Sequence, residues 1–370
     1  MAIAAPRVVV AIPVRNEVGR IEACLQALDR QTGARADTVV LLLNNCDDGT
    51  AACVRGIEPA LAIKCEIIER ELEGEQASAG YTRSLALRHA AIDLADNDLL
   101  VTTDADGEVA ANWIGANLAA FAQGADAVCG RAEIDPVEAR LIPAHLHEDD
   151  GRECRLGTLN DEIAALLDPD PHDPWPRHTE HSGASIAVTV SAWRRAGGMP
   201  AMPSGEDRAF IDRLRGIDAR VRHCPAVRVT VSGRTFGRAA GGMADTIRRR
   251  MVRQDDFVDD AIEPAADRYR RALLRAQARA IWARANRAGD DDLALLAEAL
   301  ERPEAPIRDA LTLPFFGQVW AALERGCPTL ARKPVRFVDL ATEIETALAL
   351  RAQACRKLVR QPRLAVAVPA

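Results

Sequence analysis

Along the first 130 residues, short apolar runs alternate with segments whose apolar positions recur at helical spacing. Val8–Val14, Thr38–Leu43 and Leu99–Thr103 are near-continuous apolar and β-branched runs, as expected of strands buried on both faces. Ile63–Ile68 and the stretch ADAVCG read as two more. Between these, Ile21, Cys24, Leu25 and Leu28 recur at helical spacing, and helices are expected from about Ala79 to Leu94 and through Trp113–Phe121. Such alternation means right-handed crossovers and an α/β fold with a mostly parallel sheet flanked by helices. Polar residues follow the strand ends in RNE, NNCDD and DADG. These loops should gather along one rim, where open α/β sheets bind their ligands.

The pattern breaks from Ile134 to His181, which includes the acidic, proline-rich stretch DPDPHDPWPRH. A connection of this length inside a compact domain is commonly functional, and residues 131–181 are read as an insertion offering an acceptor region. SGASIAVTV resumes a strand, SAWRRAGG is a short helix with Ser191 as N-cap and glycine as its stop, and VRHCPAVRVTVSGR carries one or two further strands. Ala244–Val258, Ala265–Ala288, Asp291–Glu301 and Val335–Val359 all look helical, so a C-terminal all-helical region is expected. The expected domains are residues 1–237 and 238–370.

Composition narrows the class. The chain has 370 residues, 48% hydrophobic and 27% charged, enough for a sizeable core, and its net charge of −7 gives no basic field for nucleic acid. Nine scattered cysteines without a C-x-x-C pair favour reduced, mostly buried thiols. The start of the chain lacks the pattern of a signal peptide, and no apolar run is long enough to span a membrane. A cytoplasmic protein is the expectation.

The stretch TTDADG raises the chemical question. Asp104 and Asp106 end an apolar strand, and residues two apart in an extended chain face the same side. Two adjacent anions imply a turn or a cation, and Asp and Gly suit a turn. Further on, Ser204 with Asp207 three residues later resembles a capping box, with Phe210, Ile211 and Leu214 as the buried face of the helix it starts.

VAIPVRNE, NNCDDGT, TTDADG, GASIAVTVSAWRRAGGMP and SGEDRAFIDRLRGIDARV occur in the order and approximate spacing of family 2 glycosyltransferases. Over roughly residues 6–240 the chain resembles that family, which implies a GT-A (Rossmann-like) fold and a nucleotide-diphospho-sugar donor, a UDP- or GDP-sugar. The resemblance maps Pro13, Arg15 and Glu17 to the first nucleotide-binding loop. Asn44 and Asn45 fall where relatives carry an aspartate that reads the base, which leaves the base open. Arg83 matches a helix-borne basic residue near the sugar diphosphate.

By the same resemblance, Asp106 binds Mn²⁺ or Mg²⁺, with Asp104 on the ribose or on the metal through water. Hard cations of this kind take one or two carboxylates plus substrate phosphates. Asp207 corresponds to the general base of inverting enzymes and Glu206 to the residue that orients the acceptor. Arg234 and Arg238 are candidates to clamp the departing diphosphate in a glycine-rich loop. His223 is expected to be structural, and His178 and His181 to contact acceptor or metal. The Q-x-x-R-W motif of processive relatives is absent, which points to transfer of a single sugar.

Other readings stand beside this one: a retaining transferase, a nucleotidyltransferase, or a silent nucleotide-sugar-binding module. The nucleotidyltransferase would want a glycine-rich loop after the first strand, which IPVRNE lacks. Leu273, Leu274, Ile281 and Trp282 must be buried within the chain or in a homodimer through the helical region. The acceptor is not named by the sequence.

Overall fold

A computed structural model of the chain describes residues 5–235, 237, 243–284 and 290–360. Their contacts divide it into two compact units, Met1–Pro143 with Arg177–Val252, and Ala144–Pro176 with Arg253–Ala370.

The first unit is built on strands β1 (Val8–Val14), β2 (Thr38–Asn44), β3 (Lys64–Arg70), β4 (Leu99–Thr102), β5 (Glu108–Val109), β6 (Ala127–Ile134), β7 (Ile186–Thr189) and β8 (Val221–Val231). They form one sheet in the order β3-β2-β1-β4-β7-β6-β8-β5. β3, β2, β1 and β4 are mutually parallel, as the strand–helix alternation predicts. β7 runs antiparallel between β4 and β6, β8 is parallel to β6, and β5 pairs antiparallel with β8.

Helices α1 (Ile21–Asp29), α2 (Thr50–Ile57), α3 (Ala79–Ala90), α4 (Trp113–Ala122), α5 (Pro136–Ala139), α7 (Val190–Arg195), α8 (Glu206–Arg215) and α9 (Met243–Val252) belong to this unit. The sheet separates two apolar layers. Val10, Ile12, Leu41 and Leu43 pack with Ile21, Leu25 and Trp113, whereas Ala11, Leu42 and Leu100 pack with Leu87 and Phe210. Such two-sided burial explains the unbroken apolar runs of β1, β2 and β4.

The second unit holds α6 (Ala144–Leu167), α10 (Ala265–Ala283), α11 (Asp290–Leu300), α12 (Glu304–Ala310), α13 (Phe316–Glu324) and α14 (Leu340–Arg360). The segment expected as an irregular insertion thus contains a 24-residue helix, and residues 144–176 group with the helical unit instead of the sheet. Leu156, Leu159 and Ile163 of α6 share a core with Tyr269, Leu340 and Ala347. Leu274 and Ile281 are buried within this same unit, beside the partly buried Trp282, and Leu273 packs on the α6 core.

Two local expectations are corrected. The α7 cap is Thr189, whose side chain accepts from the Ala192 N–H, and not Ser191. At α8 no capping box forms: Gly205, at φ 75°, is the N-cap and makes no side-chain cap hydrogen bond.

Candidate active site

The rim at the ends of β1 and β2 is a hydrogen-bonded pair of loops. Asn16 donates to Asp47 Oδ1 at 2.7 Å and accepts from the Asp47 N–H at 2.9 Å, while Asp48 accepts from the backbone of Val18 and Thr50. Asn16 and Asn45 both lie in the left-handed region, at φ 54° and 51°. Asparagine tolerates this better than most residues because its short amide bonds locally.

The two asparagines expected at the base are committed to the fold. Asn44 is buried, and its Nδ2 donates to Ala77 O and Thr82 Oγ1 at 3.0 and 2.8 Å. Asn45 exchanges hydrogen bonds with both backbone groups of Leu72 at 3.0 and 2.8 Å, fastening the β2 loop to the chain after β3. Pro13 is a β1 residue facing Leu42, and Arg15 donates to Ala77 O at 2.9 Å. These four therefore lie on one rim, with the Asn45 amide and the Asn44 Nδ2 already hydrogen-bonded within the fold.

Below the rim, Arg83 on α3 gathers residues from four elements. Its Nη2 donates to Asp104 Oδ1 at 2.6 Å, its Nε to Glu206 Oε1 at 2.9 Å, and its Nη1 to Gly183 O and Thr102 Oγ1 at 2.9 and 3.0 Å. The guanidinium is buried, and although burial opposes its charge, Asp104 and Glu206 raise its pKa, so it stays a cation. Arg83 is therefore packed against the carboxylates.

The same peptide reaches Asp207. Gly183 N–H donates to Asp207 Oδ2 at 2.9 Å, and Asp207 Oδ1 accepts from the Arg208 N–H at 2.7 Å. Asp104, Arg83, Glu206, Gly183 and Asp207 are thus one connected cluster. Two glycines permit it: a Cβ at Gly183 would lie 2.7 Å from Arg83 Cζ, and one at Gly80 would lie 2.3 Å from Met202 O.

A second cluster surrounds Asp106. Arg234 makes a fork onto Glu17, Nη1 to Oε2 at 2.8 Å and Nη2 to Oε1 at 2.6 Å, and its Nη2 also lies 3.1 Å from Asp106 Oδ2. Burial, then repulsion from Asp104, pushes the Asp106 carboxyl up to about 6, against the pull of Arg234. Glu17, Asp106 and Arg234, with Glu108 and Arg20, line an open cavity of about 380 Å³. Glu17 is buried as the anchor of Arg234. Arg238, the other expected clamp residue, lies outside the described residues.

Residues 9–173 match the model of the family described as glycosyl transferase family 2. The chain's sheet order carries the α/β architecture that the resemblance implies. No curated protein matches it. Among solved structures, it is similar to the mannosyltransferase PcManGT from Pyrobaculum calidifontis in complex with GDP-Man and Mn²⁺, at 20% identity and TM-score 0.44, covering 97% of this chain and 88% of that one. S. aureus TarS 1-349 in complex with UDP is 15% identical at TM-score 0.43, covering 95% and 90%. Glucosyl-3-phosphoglycerate synthase from Mycobacterium tuberculosis, in complex with Mn²⁺, UDP-glucose and phosphoglyceric acid, is 14% identical at TM-score 0.38, covering 67% and 78%.

Several residues of this candidate site gave no sequence signal. Glu138 accepts from Arg20, from Ser232 Oγ at 3.0 Å and from the Gly233 N–H at 2.6 Å, holding the turn that delivers Arg234. Burial would raise the Glu138 pKa, but these hydrogen bonds outweigh it and lower it. A Cβ at Gly233 would lie 2.7 Å from Ile134 Cγ2, so the turn requires glycine.

His178, His181 and His223 form a ring cluster. The His181 and His223 Nε2 atoms are 3.1 Å apart, and Arg215 Nη2 lies 3.2 Å from His181 Nε2. An arginine only donates, so His181 Nε2 accepts and His223 carries the proton on Nε2. Burial and then the Arg215 charge push the His181 pKa down to about 2. His223 is buried, as expected of a structural histidine. No helix among the described residues is long and apolar enough to cross a membrane.

Proposed function

We propose that this chain is a metal-dependent, inverting, non-processive glycosyltransferase that moves one sugar from a UDP- or GDP-sugar to an acceptor hydroxyl. The observation that carries this reading is the Arg83 cluster, which ties Asp104 at the end of β4 to the Glu206–Asp207 pair at the start of α8.

The residues present suit Mn²⁺ or Mg²⁺. Asp106 is a half-buried carboxylate repelled by Asp104 and Glu17, and Arg234, shared with Glu17, leaves net negative charge there for a cation. Among the described residues no group of three side chains could hold a metal unaided. Such ions use one or two carboxylates and complete their shell with substrate phosphates. Asp106 would hold the ion directly and Asp104 would support it. When bound, the ion offsets charge on the diphosphate as the sugar–phosphate bond breaks.

Asp207 takes the acceptor proton. The Gly183 N–H and the Arg208 N–H hold its carboxylate in place at the start of α8. As the acceptor oxygen bonds to the anomeric carbon, its proton passes to Asp207, and the bond to the donor phosphate breaks with its electron pair leaving on the nucleoside diphosphate. Glu206, tied to Arg83, is a positioning residue for Asp207, and Arg234 supplies positive charge for the leaving diphosphate.

A panel of UDP, GDP and their sugars with and without Mn²⁺, read by thermal shift and diphosphate release, tests this. Stabilisation of roughly 2.7 kcal/mol is expected at about a hundred times the dissociation constant. It should require metal and vanish in Asp106→Ala. A folded protein that no nucleotide stabilises refutes the proposal, and a product that retains the donor's anomeric configuration refutes the inverting assignment.

A further inference from the structure

Arg234 is held in an arrangement that its role as a diphosphate clamp does not require. Its guanidinium forks onto the buried Glu17 at 2.8 and 2.6 Å, and the nitrogen nearer Asp106 stands 3.1 Å from that carboxylate. A cation therefore already sits against the residue expected to take the metal. The hold is built from well-separated parts of the chain. Glu17 is tied through its N–H to Thr50 Oγ1 at 2.8 Å, and the Arg234 turn is fixed by Glu138 through Ser232 and Gly233. Neither partner is a loose surface side chain: Arg234 is 22% exposed, Glu17 7% and Asp106 17%.

We propose that Arg234 is a resident counter-ion that sets the order of binding, keeping Asp106 from a bare divalent cation until a nucleotide diphosphate arrives to take the guanidinium, with Glu17 as its positioning residue. The inference rests on the donor and metal reading above. Its logic is competition. One carboxylate oxygen can face Arg234 or a metal, and two cations in contact repel. The donor's diphosphate offers the guanidinium a second anion with matching fork geometry. Metal and diphosphate are then each bound better in the presence of the other, and the coupling is the same from either side.

The test is Mn²⁺ binding followed by the EPR signal of the free ion, on the full chain, with and without UDP or GDP. In wild type, bare Mn²⁺ should bind weakly, and nucleotide should tighten it. Arg234→Gln should bind bare Mn²⁺ about tenfold more tightly, and nucleotide should then raise metal affinity by correspondingly less, a change within the 5–150-fold range typical of coupled sites. Arg234→Lys keeps the charge and should stay within about twofold of wild type for bare Mn²⁺, below that coupling range. Bare-metal affinity that is unchanged or weaker in Arg234→Gln overturns the proposal, as does a tenfold rise in Arg234→Lys. If wild type binds Mn²⁺ with nucleotide and only the variant result fails, the donor reading stands and the counter-ion role falls. If wild type binds neither metal nor any nucleotide diphosphate, both fall.

Discussion

Gly183→Ala sets a methyl group against Arg83, on which both halves of the candidate site converge. The new Cβ would lie 2.7 Å from Cζ and 2.8 Å from both Nε and Nη2, separations that real Cβ atoms do not tolerate. A flexible side chain would swing aside, but this guanidinium is buried and held by Asp104, Glu206, Thr102 and the Gly183 carbonyl itself. Either Arg83 gives up hydrogen bonds or the Gly183 peptide moves off Asp207. Overpacking of this kind costs about 1–3 kcal/mol, and a disrupted hydrogen bond to a buried charge about 1.5–3. Because the two share one movement they do not add fully, and about 3 kcal/mol is expected. At roughly 2–4 °C per kcal/mol, the melting temperature should fall by about 6–12 °C. Turnover should fall further than stability accounts for, by about 10²-fold, since displacement of the base by about 1 Å costs that much. Thermal denaturation by circular dichroism and turnover below the transition measure the two. Gly115→Ala is the internal control: a Cβ there meets nothing within 4 Å outside its own helix, so it should stabilise α4 by about 0.5–1 kcal/mol. A Gly183→Ala protein with wild-type melting and turnover would refute the claim that this peptide positions Asp207.

The carboxylates at the start of α8 should separate by assay. Asp207→Asn should reduce kcat by about 10²–10⁴ with donor affinity unchanged, whereas Glu206→Ala leaves Arg83 short of a buried partner and should cost about 3–5 kcal/mol of stability by chemical denaturation. The Asp106 carboxyl is raised above its unfolded value, so its contribution to metal-free stability is complete below about pH 4 and is lost as pH rises through about 6. Asp106→Asn should therefore raise the metal-free melting temperature at pH 7.5 and leave it nearly unchanged at pH 4; a lower value at pH 7.5 would contradict this. His181 runs the other way. Its native pKa of about 2 lies below the unfolded 6.5, so stability falls as pH drops below 6.5, by up to about 1.4 kcal/mol per pH unit. His181→Asn should flatten that part of the profile of melting temperature against pH.

What could be read from the sequence was local, and what could not was held together across long separations. β1, β2 and β4 are legible because each is buried on both faces, so every position carries the signal. Asp104, Asp106, Glu206 and Asp207 are legible because each pair shares one short motif. α6 was hidden because its inward face is not purely apolar. Glu153 and Asn160 are buried there, and they bond the backbone of Asp259 and Glu263. A helix whose buried positions include polar residues loses the apolar stripe on which periodicity depends. The partners of the basic residues were hidden for the same reason. Arg83 reads as a helix charge until Thr102, Asp104, Gly183 and Glu206 close around it, and Arg234 reads as a lid residue until Glu17, 217 positions away, forks onto it. An arginine's function depends on which anions fold next to it. In this chain the two arginines offset part of the site's negative charge from within, so the charge left for a donor and a metal is set by the fold as much as by the motifs.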